Sequence, residues 1–138
     1  FCDGSPISFL QNPSHIYTTA GAYQVSLITT SASLCPDTIV HTVNAISIPT
    51  ADFTWMDGCT GTPLQFTDAS TNLSGNPSWA WDFGDGGNSP AQNPAHTYTT
   101  AGAWQVSLIS TSDGLCNDTV TWQVIAYENP LVICRQET

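Results

Sequence analysis

The sequence predicts an all-β sandwich built as repeated units, and three observations carry that expectation. Apolar side chains alternate with a period of two, clusters of Gly, Pro, Asn, Asp and Ser punctuate them, and one half of the chain echoes the other. The echo is the plainest: "QNPSHIYTTAGAYQVSLITT" from Gln11 returns as "QNPAHTYTTAGAWQVSLIST" from Gln92, an offset of about 81 residues. The same offset pairs Cys35 with Cys116, Asp37 and Thr38 with Asp118 and Thr119, Val43 with Val124, and Pro49 with Pro130. Upstream, "FCDG" at Phe1 aligns with "FGDG" at Phe83 once a single residue is inserted.

In chain order, residues 1–48 read as the C-terminal part of a first repeat, with Tyr23, Val25 and Leu27 on one strand face. Pro49 closes that segment, and residues 49–129 read as one complete repeat. Its strands begin with "ADFTW" and "PLQF". They continue with Trp79, Trp81 and Phe83 on one face, then Trp104, Val106 and Leu108, then Val120, Trp122 and Val124. The clusters "NLSGNP", "GDGGNSPAQNP" and "SDGLCND" separate them as turns, and no stretch keeps a helical period. Residues 130–138 read as the start of a following segment, with Pro130 repeating the part of Pro49.

Composition narrows the function. Eleven acids stand against one basic residue, Arg135, a net charge of -10, and there is no lysine. Phosphate backbones and anionic lipid surfaces need Lys and Arg, so nucleic acid is excluded as a partner. No apolar run reaches the length of about 20 residues that spans a bilayer, so direct membrane insertion is not expected either. A surface made from Ser, Thr, Asn and Gln with 9% charged residues points outside the cell. The chain opens on Phe1 without a signal-peptide pattern, and the reading favoured here is a window onto a longer repeat protein. The competing expectation is that a neighbouring chain donates strands to cover Tyr23, Val25 and Leu27.

"WAWDFGDGG" at residues 79–87, followed by "NPAHTYTTAGAWQVSL" and "CNDT", resembles the PKD domain, an immunoglobulin-like module of cell-surface and secreted proteins. The resemblance covers residues 50–129 and, from the turn onward, residues 1–48. It implies an immunoglobulin-like β-sandwich in tandem repeats, as in bacterial adhesins, gliding filaments and accessory regions of secreted enzymes. Trp79, Trp81, Asp82, Phe83, Gly84, Asp85, Gly86, His96, Tyr98 and Gly102 make up its structural motif. Gly84 and Gly86 suit a turn that needs positive φ, and Tyr98 and Tyr17 resemble corner tyrosines tying a loop to the sheet. The resemblance also implies a disulfide between Cys59 and Cys116. Closing its loop of about 57 residues would add about 4 kcal/mol in the chain-entropy view. Cys35 would play the same part in the first unit with a partner upstream of Phe1, while Cys2 and Cys134 stay unassigned.

Sharper chemistry has candidates too. Two acids in one turn could serve as acid and base, but neither a nucleophile nor an oxyanion donor set accompanies them, so no catalytic residue is expected. Asp57, Asp68, Asp82 and Asp85 are oxygen ligands of the kind calcium takes, though no dense D-x-D-x-D loop holds them; no other cofactor is expected. His15 and His96 fill equivalent slots suited to anchoring a loop. Trp122 is replaced by His41 in the other copy, which marks a wet slot, so Trp122 and Trp55 are the expected contact surface for glycans or proteins. Asn72 and Asn117 fit the N-glycan acceptor pattern, and Thr38 and Thr119 sit in Asp-Thr-aliphatic runs that resemble an O-glycosylation pattern. The functional expectation is an extracellular, non-enzymatic module of a cell-surface filament or repeat adhesin. Its partners would be neighbouring repeats or identical chains. The alternatives are a substrate-binding accessory region of a secreted hydrolase, and a self-polymerising subunit.

Overall fold

A computed structural model describes residues 1–130 and separates them into two compact units, one of residues 1–47 and one beginning at Ile48. Among the described residues there is no helix, as the period of two requires. Cys134, Arg135 and all of the expected following segment except Pro130 lie outside the described residues.

The first unit contains an antiparallel pair, β1 (Gly21–Thr30) and β2 (Pro36–Ala45), registered from Gly21 opposite Ala45 to Thr30 opposite Pro36. Tyr23 and Val25 are half-buried, whereas Leu27 is exposed. Tyr23 owes its partial cover to Tyr17, whose ring stacks on it at 4.1 Å between centroids.

The second unit is a sandwich of two sheets. β3 (Phe53–Trp55), β5 (Leu64–Asp68) and β8 (Ala95–His96) make one layer, ordered β3-β5-β8. The other layer holds β4 (Gly58–Cys59), β6 (Ser78–Asp82), β7 (Asn88–Ser89), β9 (Gly102–Ser112) and β10 (Cys116–Tyr127), ordered β4-β10-β9-β6-β7. The segment from Phe53 to Cys59 thus changes sheets: β3 pairs antiparallel with β5, and β4 then pairs parallel with the end of β10.

The core lies where inward residues of the two layers meet. Phe53, Leu64 and Phe66 from one sheet pack on Trp81, Val106, Leu108 and Val124 from the other. Alternation decides who enters: along β5, Leu64 and Phe66 are buried while Gln65 and Thr67 face out. Trp81 is the hinge of the aromatic contacts, with its ring 5.0 Å from Phe53 and 5.8 Å from Phe66. Two indole N–H groups extend the packing. Trp79 donates to Asp68 Oδ2 on the facing sheet at 2.8 Å, and Trp81 donates to the Ala91 carbonyl at 2.8 Å.

The Phe66→Ala variant should lose about 3–5 kcal/mol in chemical denaturation, because Phe66 is wholly buried between the layers. Ile109→Ala, on the outward face of β9, should cost under about 1 kcal/mol.

Candidate functional site

The motif residues converge on the turn between β6 and β7. Phe83 N–H donates to the Gly87 carbonyl and closes it. Asp82 accepts Gly84 N–H at 2.9 Å, and Asp85 accepts Gly87 N–H at 2.9 Å, so each carboxylate folds back on the backbone two residues on. Gly84 has φ +80°, and a Cβ there would meet the Gln105 carbonyl oxygen at 2.5 Å. Glycine is therefore required twice over, by conformation and by the closeness of β9. Gly86, at φ +94°, meets the first requirement without the second.

His96 on β8 lies against this turn. Its ring stacks on Phe83 at 4.1 Å with planes 3° apart, and its Nε2–H donates to Asp85 Oδ2 at 2.8 Å. A Cβ on Gly87 would strike the same ring at 2.6 Å. Tyr98 continues the column, edge-on to His96 and stacked on Trp104 at 5.1 Å, and its buried hydroxyl donates to the Phe83 carbonyl at 3.0 Å. Gly102 starts β9 opposite Ala126, just ahead of Trp104. The turn, β8 and the start of β9 are thus joined by one aromatic column.

Electrostatics follow from the packing. Burial pushes the Asp85 carboxyl up, but the bonds from His96 and Gly87 N–H outweigh it and hold the group below its ordinary value. Burial, with Asp85 and Asp82 nearby, pushes the Tyr98 phenol well above its usual range.

The first unit repeats the ring contacts and the Asp–His pair but not the tyrosine anchor: unlike Tyr98, Tyr17 has no hydrogen-bond partner for its hydroxyl among the described residues, which corrects its expected role as a corner tyrosine. Phe1 stacks on His15 at 4.2 Å, His15 meets Tyr17 edge-on at 4.6 Å, and His15 Nε2–H donates to Asp3 Oδ2 at 2.6 Å. Cys2 occupies the slot of Gly84, with φ 53°. The Asp–His pair was legible only through the repeat, since Asp3 and His15 recur as Asp85 and His96.

The other candidates do not gather into a centre. Asp57 accepts Trp55 Nε1–H at 2.9 Å and Ile125 N–H at 3.3 Å; Asp68 accepts Trp79, Gln92 and Ser70. Asp82 and Asp85 are held in the turn, and among the described residues no three His, Cys, Asp or Glu side chains converge. These four acids therefore do not come together as one set of side-chain ligands. Cys59 and Cys116 do not pair. The β4 register puts Cys59 beside Tyr127, and Cys116 lies eleven residues away at the other end of β10, roughly 35 Å along a strand. A disulfide needs Cα atoms within about 7 Å, so the expected bridge is corrected to two separate thiols.

Trp122 is 46% exposed, and its Nε1–H donates to Asp52 Oδ1 at 3.1 Å. Trp55 is half-buried beside a shallow groove of about 290 Å³ bordered by Thr54, Met56, Gln65 and Thr67. Among the described residues the two indoles share no ring contact. Asn72, in the loop after β5, and Asn117 and Thr119 on β10 are exposed, as is Thr38 on β2.

The family described as PKD domain matches residues 47–126. Among solved structures, the PKD1 domain of Vibrio anguillarum Epp is 30% identical with a TM-score of 0.54, covering 62% of this chain and 100% of that one. The PKD1 domain of the Vibrio cholerae metalloprotease PrtV is 30% identical with a TM-score of 0.52, covering 59% and 99%. A structure from work on the promiscuous specificity of carbohydrate-binding modules of the β-sandwich superfamily is 24% identical with a TM-score of 0.57. This chain covers 61% of itself and 36% of that protein in the match, a likeness of fold. No curated protein matches the chain.

The Asp85 pair gives a pH signature. A carboxyl lowered in the folded state stabilises above its unfolded pKa, and that contribution is lost as pH falls through the folded value. Wild type should therefore exceed Asp85→Asn in thermal midpoint by a constant margin above about pH 5, and the margin should shrink steadily below about pH 4. Parallel curves throughout would show that the Asp85 carboxylate has no role in folding.

Proposed function

The chain belongs to the PKD domain family, and from that premise we propose that it is an extracellular, non-catalytic module lending reach and stiffness to a cell-surface filament or adhesin. The immunoglobulin-like sandwich is an adhesive or binding scaffold, and domains of this family belong to extracellular or secreted proteins. One observation supports the structural role above all. The acids and the histidine in "WAWDFGDGG" and "NPAHTY", the residues best suited to chemistry, are engaged with the fold's own N–H groups and with each other. The same engagement recurs between Asp3 and His15, as expected of a unit copied for its architecture.

In this reading residues 1–48 and 49–129 are successive repeats, and neighbouring repeats or identical chains are the partners. Acidic, lysine-free surfaces would repel one another and keep such strings dispersed. The exposed Trp122 favours a second reading, an accessory region that holds polysaccharide or protein substrate for a secreted hydrolase.

Denaturing, reducing electrophoresis of the native polypeptide separates the readings when joined to a glycan-binding screen. The filament reading expects a mass many times that of these 138 residues and no glycan bound by the isolated chain. Glycan binding that vanishes in Trp122→Ala would replace it with the accessory reading.

A further inference from the structure

The ladder between β9 and β10 runs through eleven consecutive pairs, from Cys116 opposite Ser112 to Ala126 opposite Gly102, with no bulge. On its other side, among the described residues, β10 is paired only at one end, where Gly58 and Cys59 meet Ala126 and Tyr127. Two bonds show which backbone groups face that side. Ile125 N–H donates to Asp57, and the Tyr127 carbonyl accepts Thr60 N–H. Backbone direction alternates along an antiparallel strand, so Asn117, Thr119, Thr121 and Gln123 point their N–H and C=O groups outward as well. Among the described residues these groups have no partner.

Sheet edges are ordinarily protected by proline, lysine, a bulge or a covering segment. Residues 117–123 contain no proline, lysine or bulge, and among the described residues no further strand pairs with them. What flanks this edge is acid. Asp118 accepts Ala51 N–H, Asp52 accepts Trp122 Nε1–H, and Asp57 accepts Ile125 N–H, each through one oxygen. Among the described residues the second oxygen of each has no donor, and no lysine or arginine occurs.

We propose that the open edge of β10 takes up an extended, basic segment of another protein as an added strand, with Asn117, Thr119, Thr121 and Gln123 supplying the main-chain ladder. The ladder that β4 begins at Tyr127 would continue along β10, and lysine or arginine on the guest would meet the free oxygens of Asp52, Asp57 and Asp118. A second copy of this chain is the wrong guest, since at a net charge of -10 it would bring acid against acid. The inference goes beyond the architectural role and stands independently of it.

The test titrates the 138-residue chain with an acetylated peptide of alternating lysine and valine, while amide hydrogen exchange is followed by NMR. Binding should weaken with added salt and should slow exchange at Asn117, Thr119, Thr121 and Gln123. A peptide with glutamate in place of lysine should not bind. Thr121→Pro removes one outward N–H and no bond to β9, so it should leave the fold intact and weaken the lysine peptide by at least about tenfold. Asp52→Asn with Asp57→Asn should weaken it by about threefold to tenfold. Unchanged exchange along β10 in the wild-type chain would overturn the proposal even if the proline variant failed to fold. So would equal binding of the glutamate peptide, unimpaired binding by a folded Thr121→Pro, or pairing of the chain with itself at this edge.

Discussion

The fold depends on one constraint, that the turn leaving β6 must lie flat against both β8 and β9. Gly84 and Gly87 have almost no room. The Gln105 carbonyl sits where a side chain on Gly84 would go, and the His96 ring sits where one on Gly87 would go. Into that space the chain inserts an aromatic column in which His96 is bonded to Asp85 and Tyr98 to the Phe83 carbonyl, while the Trp104 indole N–H has no partner among the described residues. A buried hydroxyl without a partner would cost more than the bond contributes, so the turn and the column specify each other. The sandwich core is less particular, since apolar side chains of the right volume can repack.

The same logic explains how so acidic a chain folds. Its carboxylates act largely as acceptors for backbone and indole N–H groups: Asp52, Asp57, Asp68, Asp82, Asp85 and Asp118 all do so. Asp68 joins strands of opposite sheets through Trp79, and Asp118 ties β10 to Ala51 just ahead of β3. Acids used this way stabilise the sandwich without any cation, and they leave its surface negative. That surface is the physical basis for dispersion between like modules and for attraction toward basic partners.

Much of this was readable from the residues. The period of two in "SWAWDFG" and "AWQVSL" placed Trp81, Phe83, Val106 and Leu108 inward, and the repeat aligned His15 with His96 before either had a partner. The exchange of Trp122 for His41 marked a slot open to water, and the indole is exposed there. Strand register is what a sequence does not state. The resemblance implied a bridge between Cys59 and Cys116, yet a parallel β4 at the far end of β10 sets them apart. The four acids named as oxygen ligands each accept from N–H groups of the fold instead.

The most direct measurement of the central claim is the stability of Tyr98→Phe, which deletes one oxygen and keeps the ring in the column. The account predicts a loss of about 1–3 kcal/mol in chemical denaturation, with the native fold retained, because the Phe83 carbonyl is left without its donor. Stability equal to wild type would contradict it, and would place the anchor of the turn in ring packing alone.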